Sequence, residues 1–163
     1  LESIINQTLI PDEIVVVIDG PITEELNEVL ISYKKKYNFI KCVDLKENVG
    51  LGRALNKGLE FCGNEYIFRM DTDDIADLNR CQKQLKYLTD NGLDILGSNI
   101  QEFITDVDKP TAMKKMPLNH MQILEYSKFR NPFNHPSVLF KKSPLSLLYI
   151  TKAVKYCANR TVL

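Results

Sequence analysis

Residues 13–19, EIVVVID, form an unbroken apolar and β-branched run up to Asp19, the pattern of a strand buried on both faces. The period then changes. In TEELNEVLISYKKKY (23–37), Leu26, Val29, Leu30 and Tyr33 recur on one helical face, and Thr23 precedes them as an N-cap. FIKCVDL (39–45) returns to strand character, and GLGRALNKGLEFC (50–62) puts Leu51, Leu55, Leu59 and Cys62 on one side of a second helix. EYIFRM (65–70) predicts a third strand, NRCQKQLKYLTDN (79–91) a helix that stops near Gly92, and LDILGSNIQEFI (93–104) a fourth strand region. Past TDVDKP the pattern loosens, and MPLNHMQILEYSKF (116–129) is at most one more helix. Strand and helix alternating with short connections predict βαβ units, hence an α/β fold with a mostly parallel sheet.

Ligands of such sheets sit at the carboxyl ends of the strands. Asp19 ends the first strand, Asn48 and Gly50 follow the second, and Asp71, Asp73 and Asp74 follow the third. Carboxylates massed at one place repel one another and need solvent, protons or a cation. A hard divalent ion, Mg²⁺ or Mn²⁺, meets that need with one or two carboxylates and completes its shell with phosphate oxygens and water. Asp-rich turns also cap helices without binding anything; the two further polar strand ends favour a metal and diphosphate. For Asp19, directly before Gly20, a turn role and a ligand contact both stay open. Arg53 is either a solvated helix charge or, in the first turn of a helix facing the rim, a phosphate partner.

Charge and cysteine content narrow the classes. The 21 basic residues balance the 21 acidic ones, so nothing argues for nucleic acid as a partner. Cys42, Cys62, Cys81 and Cys157 form no CxxC pair, which speaks for reduced thiols over a zinc site or a disulfide framework. No apolar run reaches a membrane span. The chain opens at LESIINQTL, which reads as the middle of a helix, without an initiator Met or signal peptide. The expectation is a fragment of a cytoplasmic protein, working in the cytoplasm or at the inner face of the membrane.

Three stretches carry a resemblance: LESIINQTLIPDEIVVVIDGP, ENVGLGRALNKGLEFCGNEYIFRMDTDDIADLNR and NPFNHPSVLFKKS. Together they resemble family 2 glycosyltransferases with the A-type, Rossmann-like nucleotide-sugar-binding fold. The resemblance covers residues 1–143 as a partial domain and leaves 144–163 as a divergent C-terminal segment. It implies transfer of a sugar, with inversion, from a nucleotide diphosphate donor, most often UDP-linked, to the hydroxyl of a glycan or lipid-linked acceptor. Asp19 then matches the nucleobase contact, and Asn48, Gly50 and Arg53 the segment beside nucleoside and diphosphate. Asp71 and Asp73 match the DxD motif: Asp71 lies by the ribose, and Asp73 with Asp74 holds Mn²⁺ or Mg²⁺ on the diphosphate. His135, in NHPSVLF, matches the strand bordering the acceptor, although a structural histidine is the plainer role.

The sequence also departs from the family. The resemblance places a first strand upstream of Leu1, so the strand at 13–19 is expected to have an uncovered edge and to invite self-association. Position 78 is Leu where Pro is usual. The family's catalytic base lies in a later Glu-Asp segment, whereas SPLSLLYITKAVKYCANRTVL contains neither Asp nor Glu, so no base is assigned. A catalytically inactive remnant that at most binds nucleotide is therefore the rival. A nucleotidyltransferase would show a Gly-rich phosphate loop near its N-terminus, an end expected to be missing here, so only the middle block speaks against it; a receiver domain would not carry the NVGLGRALNKG helix.

Overall fold

A computed structural model describes residues 1–142; the expectation for 144–163 lies outside the described residues. The chain runs α1 (Glu2–Ile5), β1 (Ile14–Asp19), α2 (Glu24–Lys36), β2 (Ile40–Leu45), α3 (Leu51–Phe61), β3 (Tyr66–Phe68) and α4 (Arg80–Asp90). It continues through β4 (Ile95–Leu96), β5 (Ile100–Glu102), β6 (Ala112–Lys114), α5 (His120–Ser127), a 3-10 turn at His135–Ser137 and β7 (Leu139–Lys141).

Strands β1 and β2 pair in parallel from Ile14–Ile40 to Asp19–Leu45. Their side chains pack on α2 through Val16, Ile18, Leu30 and Ile40, with Tyr33, Tyr37 and Phe39 around them. Each such fully buried aliphatic side chain stabilises the fold by ~1.5–3 kcal/mol relative to exposure. Thr23 caps α2 by accepting the Leu26 amide, as its sequence predicts, and Lys34 to Lys36 close its last turn against the helix dipole. The buried face of α2 is narrower than its period suggested: Leu30 is sealed, whereas Val29 remains 47% exposed. Helix α3 approaches β1 closely enough that a Cβ on Gly58 would lie 2.6 Å from Val17 Cγ2.

β3 and β4 each pair antiparallel with β7, so they run in the same direction as each other. Glu13, just before β1, fixes their direction relative to β1. Its Oε1 accepts from the Gly63 and Asn64 amides and from Asn64 Nδ2, so β1 and β3 start at the same end. β1, β2, β3 and β4 therefore point one way and β7 the other, which is an α/β arrangement whose carboxyl ends share a rim. The fourth strand region is split between β4 and β5, and β5 forms a separate hairpin with β6. The cause is local: the Ser98 carbonyl accepts from Asn134 Nδ2 and Ser137 Oγ, and its amide donates to Ser137 Oγ, pulling this backbone out of a ladder. Between β1 and β3 there is no ladder among the described residues, but a cavity of about 510 Å³.

Candidate functional site

The rim has two parts. At the end of β1, Asp19 accepts the Val49 amide at 2.7 Å and the Gly50 amide at 3.0 Å, one on each oxygen. This draws the 48–50 loop against the strand end, and Gly20 permits the approach: a Cβ there would be 2.8 Å from the Asn48 nitrogen. Gly50, at φ +84°, is the N-cap of α3 and brings no capping side chain. The first-turn amides of α3 thus face the rim without a side-chain acceptor, an arrangement suited to an anion. Arg53 is exposed in that turn, and Asn48 is exposed beside it.

The second part follows β3. Arg69, 8% exposed, reaches Asp71 Oδ1 at 2.9 Å, while its amide donates to the Val138 carbonyl. Asp71 is half-buried; Asp73 and Asp74 are exposed on the turn that follows. Burial pushes the Asp71 carboxyl above its ordinary range; Arg69 opposes this and Asp73 adds to it. Asp74 is raised by burial and by repulsion from Asp71 and Asp73. The sequence assigned a metal to Asp73 and Asp74. Among the described residues no three His, Cys, Asp or Glu groups converge on an ion position, and one Asp71 oxygen is engaged by Arg69. The donor types suit a hard cation, but the carboxylates alone do not enclose one.

A buried polar relay supports this turn from behind, and sequence reasoning missed it. Arg80, the first residue of α4, donates to the Arg69 carbonyl at 2.7 Å, to Met70 Sδ and to Gln84 Oε1. Gln84, 7% exposed, donates in turn to the Ser137 carbonyl at 2.8 Å. Gln7 is buried too, donating to the Ser3 and Asp77 carbonyls and accepting the Cys81 amide. The available signal was polar residues on otherwise apolar faces: Arg69 within YIFRM, and Gln84 one helical turn from Cys81 and Leu88. Replacing Arg80 by Met should cost about 2–4 kcal/mol, since it strands the Gln84 oxygen and the Arg69 carbonyl. Urea unfolding measures this, and an unchanged midpoint would show the relay to be inert.

His135 enters from the 3-10 turn, with its Nε2 2.5 Å from Asn131 Nδ2. Its pKa falls to about 4 through burial, then repulsion from Arg69 and Lys114. It is thus a neutral imidazole near Arg69. Its folded pKa lies below the unfolded one, so its contribution is intact above pH 6.5 and lost as pH falls from 6.5 towards 4. We expect about 2 kcal/mol of stability to disappear across that window, after discounting for partial exposure, and His135→Asn to flatten the profile. Asp71 and Asp74, with raised pKa values, act with the opposite sign in the carboxylate range, so denaturation between pH 6.5 and about 5 isolates the histidine.

The structure joins Asp19 to Val49 and Gly50, and Asp71 to Arg69. It does not enclose both sets in one cavity: Asp71, Thr72 and Asp74 line the cleft between β1 and β3, whereas Asp19, Asn48 and Arg53 line neither that cleft nor the depression around Gly20, Thr23 and Lys46. No helix among the described residues is long and apolar enough to cross a membrane.

The family pattern described as Glycosyl transferase family 2 matches residues 1–154. The chain is 44% identical over 143 residues to a UDP-Gal:alpha-D-GlcNAc-diphosphoundecaprenol beta-1,3-galactosyltransferase of Escherichia coli, covering 87% of this chain and 51% of the relative. It is 41% identical to the amylovoran biosynthesis glycosyltransferase AmsE of Erwinia amylovora, over 87% of this chain and 53% of that protein. Against the O-antigen biosynthesis glycosyltransferase WbnJ of Escherichia coli it is 32% identical, over 98% of this chain and 59% of the relative. The chain spans about half the length of these curated relatives.

Proposed function

Because the chain belongs to glycosyl transferase family 2, we propose that it is the donor-binding part of a glycosyltransferase that moves a sugar from a nucleotide diphosphate, UDP by preference, to an acceptor hydroxyl with inversion. The observation that carries this reading is the common direction of β1 and β3. It aims the Asp19-held loop with the open N-terminus of α3, and the acidic turn 71–74, at the same rim. In this reading Asp19, Asn48, Gly50 and Asp71 hold the nucleoside side, and Arg53 with the α3 amides meets the diphosphate. Asp73 and Asp74 would hold Mn²⁺ or Mg²⁺, which neutralises charge on the departing nucleoside diphosphate when bound. Neutral His135 borders the acceptor side. The acceptor is a glycan or a lipid-linked sugar of a surface-polysaccharide assembly; the amylovoran and O-antigen relatives and the diphosphoundecaprenol-named one support this class. Residues 1–143 act as a partial domain and 144–163 as a divergent segment.

One observation favours a second reading. After Glu125 residues 126–163 contain no Asp or Glu, so these residues supply no carboxylate beyond α5 as a base for the acceptor hydroxyl, and nucleotide binding without turnover by residues 1–163 fits as well. Calorimetric titration with UDP in Mn²⁺ and in EDTA tests the donor site common to both; identical isotherms would overturn it.

A further inference from the structure

We propose that Asn131 locks the imidazole of His135 in the Nδ1–H tautomer, so that His135 serves the site as a hydrogen-bond donor to a phosphate oxygen and not as a base. The lock stands on two hydrogen bonds. Asn131 Oδ1 accepts the Phe133 amide at 3.0 Å, which fixes the side-chain amide and turns its NH2 group towards the ring. Asn131 Nδ2 then lies 2.5 Å from His135 Nε2. An amide nitrogen only donates, so Nε2 presents its lone pair and the proton of the neutral ring resides on Nδ1. The flipped amide would set its NH2 against the Phe133 N–H, donor against donor.

This arrangement decides what the ring can do. The one basic lone pair of the neutral imidazole is engaged by Asn131, so none is left to take the proton of an acceptor hydroxyl. Protonating Nε2 would also put an N–H against Nδ2, which adds to the burial and the Arg69 and Lys114 charges that already disfavour the imidazolium. The polar group that remains is Nδ1–H. The ring is half-buried, and among the described residues no side chain or carbonyl accepts from Nδ1.

The surroundings select the partner of this donor. Val138, three residues after His135, accepts the Arg69 amide, which brings the 3-10 turn beside the end of β3. On the other side, the Ser98 carbonyl accepts from Asn134 and Ser137, Asn99 Oδ1 accepts the Met116 amide, and Ile100 pairs with Lys114. The Arg69 and Lys114 charges therefore reach the ring from β3 and from β6. Arg69 shares its charge with Asp71, whereas Lys114 is exposed. A neutral N–H beside two cations fits an oxyanion and disfavours a cationic group. The proposal rests on the glycosyltransferase reading above, under which that oxyanion is a phosphate oxygen. It belongs to the nucleotide diphosphate of the donor or to the diphosphate of a lipid-linked acceptor.

Nitrogen-15 NMR of the histidine rings at neutral pH reads the tautomer without any ligand, with the exposed His120 as internal reference. We expect the His135 proton on Nδ1. Asn131→Asp should move it: one carboxylate oxygen still accepts the Phe133 amide, and the other accepts from the ring. Nε2 then becomes protonated, and the pKa climbs from about 4 to above 6.5. A parent ring protonated at Nε2, or a proton unmoved by Asn131→Asp, overturns the lock. The donor role is read from calorimetric affinities for UDP in Mn²⁺ and, with UDP saturating, for farnesyl diphosphate. His135→Asn keeps an N–H near the place of Nδ1–H, and His135→Phe removes it. We expect His135→Phe to bind one probe roughly tenfold or more weakly and His135→Asn to stay near the parent, with melting curves confirming that both fold. Loss with UDP assigns the bond to the donor diphosphate, and loss with farnesyl diphosphate assigns it to that of the acceptor. Unchanged affinities in His135→Phe, or equal losses in both variants, overturn the donor role. A parent that binds neither probe overturns the glycosyltransferase reading and the phosphate role together, while the ligand-free ring measurement still decides the lock.

Discussion

In Mn²⁺, UDP should bind this chain more tightly than in EDTA, and Asp73→Asn should remove most of the difference, a loss of about tenfold or more in metal-dependent affinity. The amide keeps the size of the side chain but cannot supply the charge that holds a hard divalent ion. Asp73 is the informative position because it is exposed on the turn, so its substitution leaves folding nearly unchanged. Asp71 would be a poor choice. Its carboxylate faces a buried Arg69 at 2.9 Å, and breaking such a pair costs about 3–5 kcal/mol in stability, which would mix unfolding with lost binding. Acid should weaken the metal-dependent part first: the carboxyls of Asp71 and Asp74 are both raised, and protons then compete with the ion. Calorimetry with UDP and Mn²⁺ on the parent and on Asp73→Asn, with melting curves as the control, provides the measurement. Equal affinity of the two proteins in Mn²⁺ would remove Asp73 from the site.

Turnover is the second large effect. Loss of a general base slows the step it serves by ~10²–10⁴-fold, and this chain carries no Asp or Glu after Glu125. His135 does not substitute readily: it is neutral at pH 7, but burial, and then Arg69 and Lys114, oppose the imidazolium it would become on taking a proton. We therefore expect weak nucleotide binding and little or no sugar transfer from UDP-glucose or UDP-galactose by these 163 residues. Radiolabelled transfer to lipid-linked and free glycan acceptors, set against a relative of full length, tests this. Rates within tenfold of that relative would mean that a base exists among the residues already named, with His135→Asn as the next substitution to make.

The sequence by itself determined the class and the order of the elements. The run IVVVID, the helical period from Leu26 to Tyr33 and the Thr23 cap are local signals, and local signals survive because each is set by neighbours within a few residues. The polar residues at or just past the strand ends, Asp19, Asn48 and Asp71, were legible for the same reason: an apolar run that gives way to polar residues shows roughly where its strand ends. Tertiary structure alone decided what those groups touch. Asp19 holds the Val49 and Gly50 amides about thirty residues away, Arg69 pairs with Asp71, and Glu13 sets β1 and β3 in one direction. The fourth strand region was split by Asn134 and Ser137, far along the chain. No periodicity encodes such contacts: hydrogen-bond partners distant in sequence are chosen by packing, and one buried arginine or glutamine redirects a backbone or a carboxylate without altering any pattern of apolar residues.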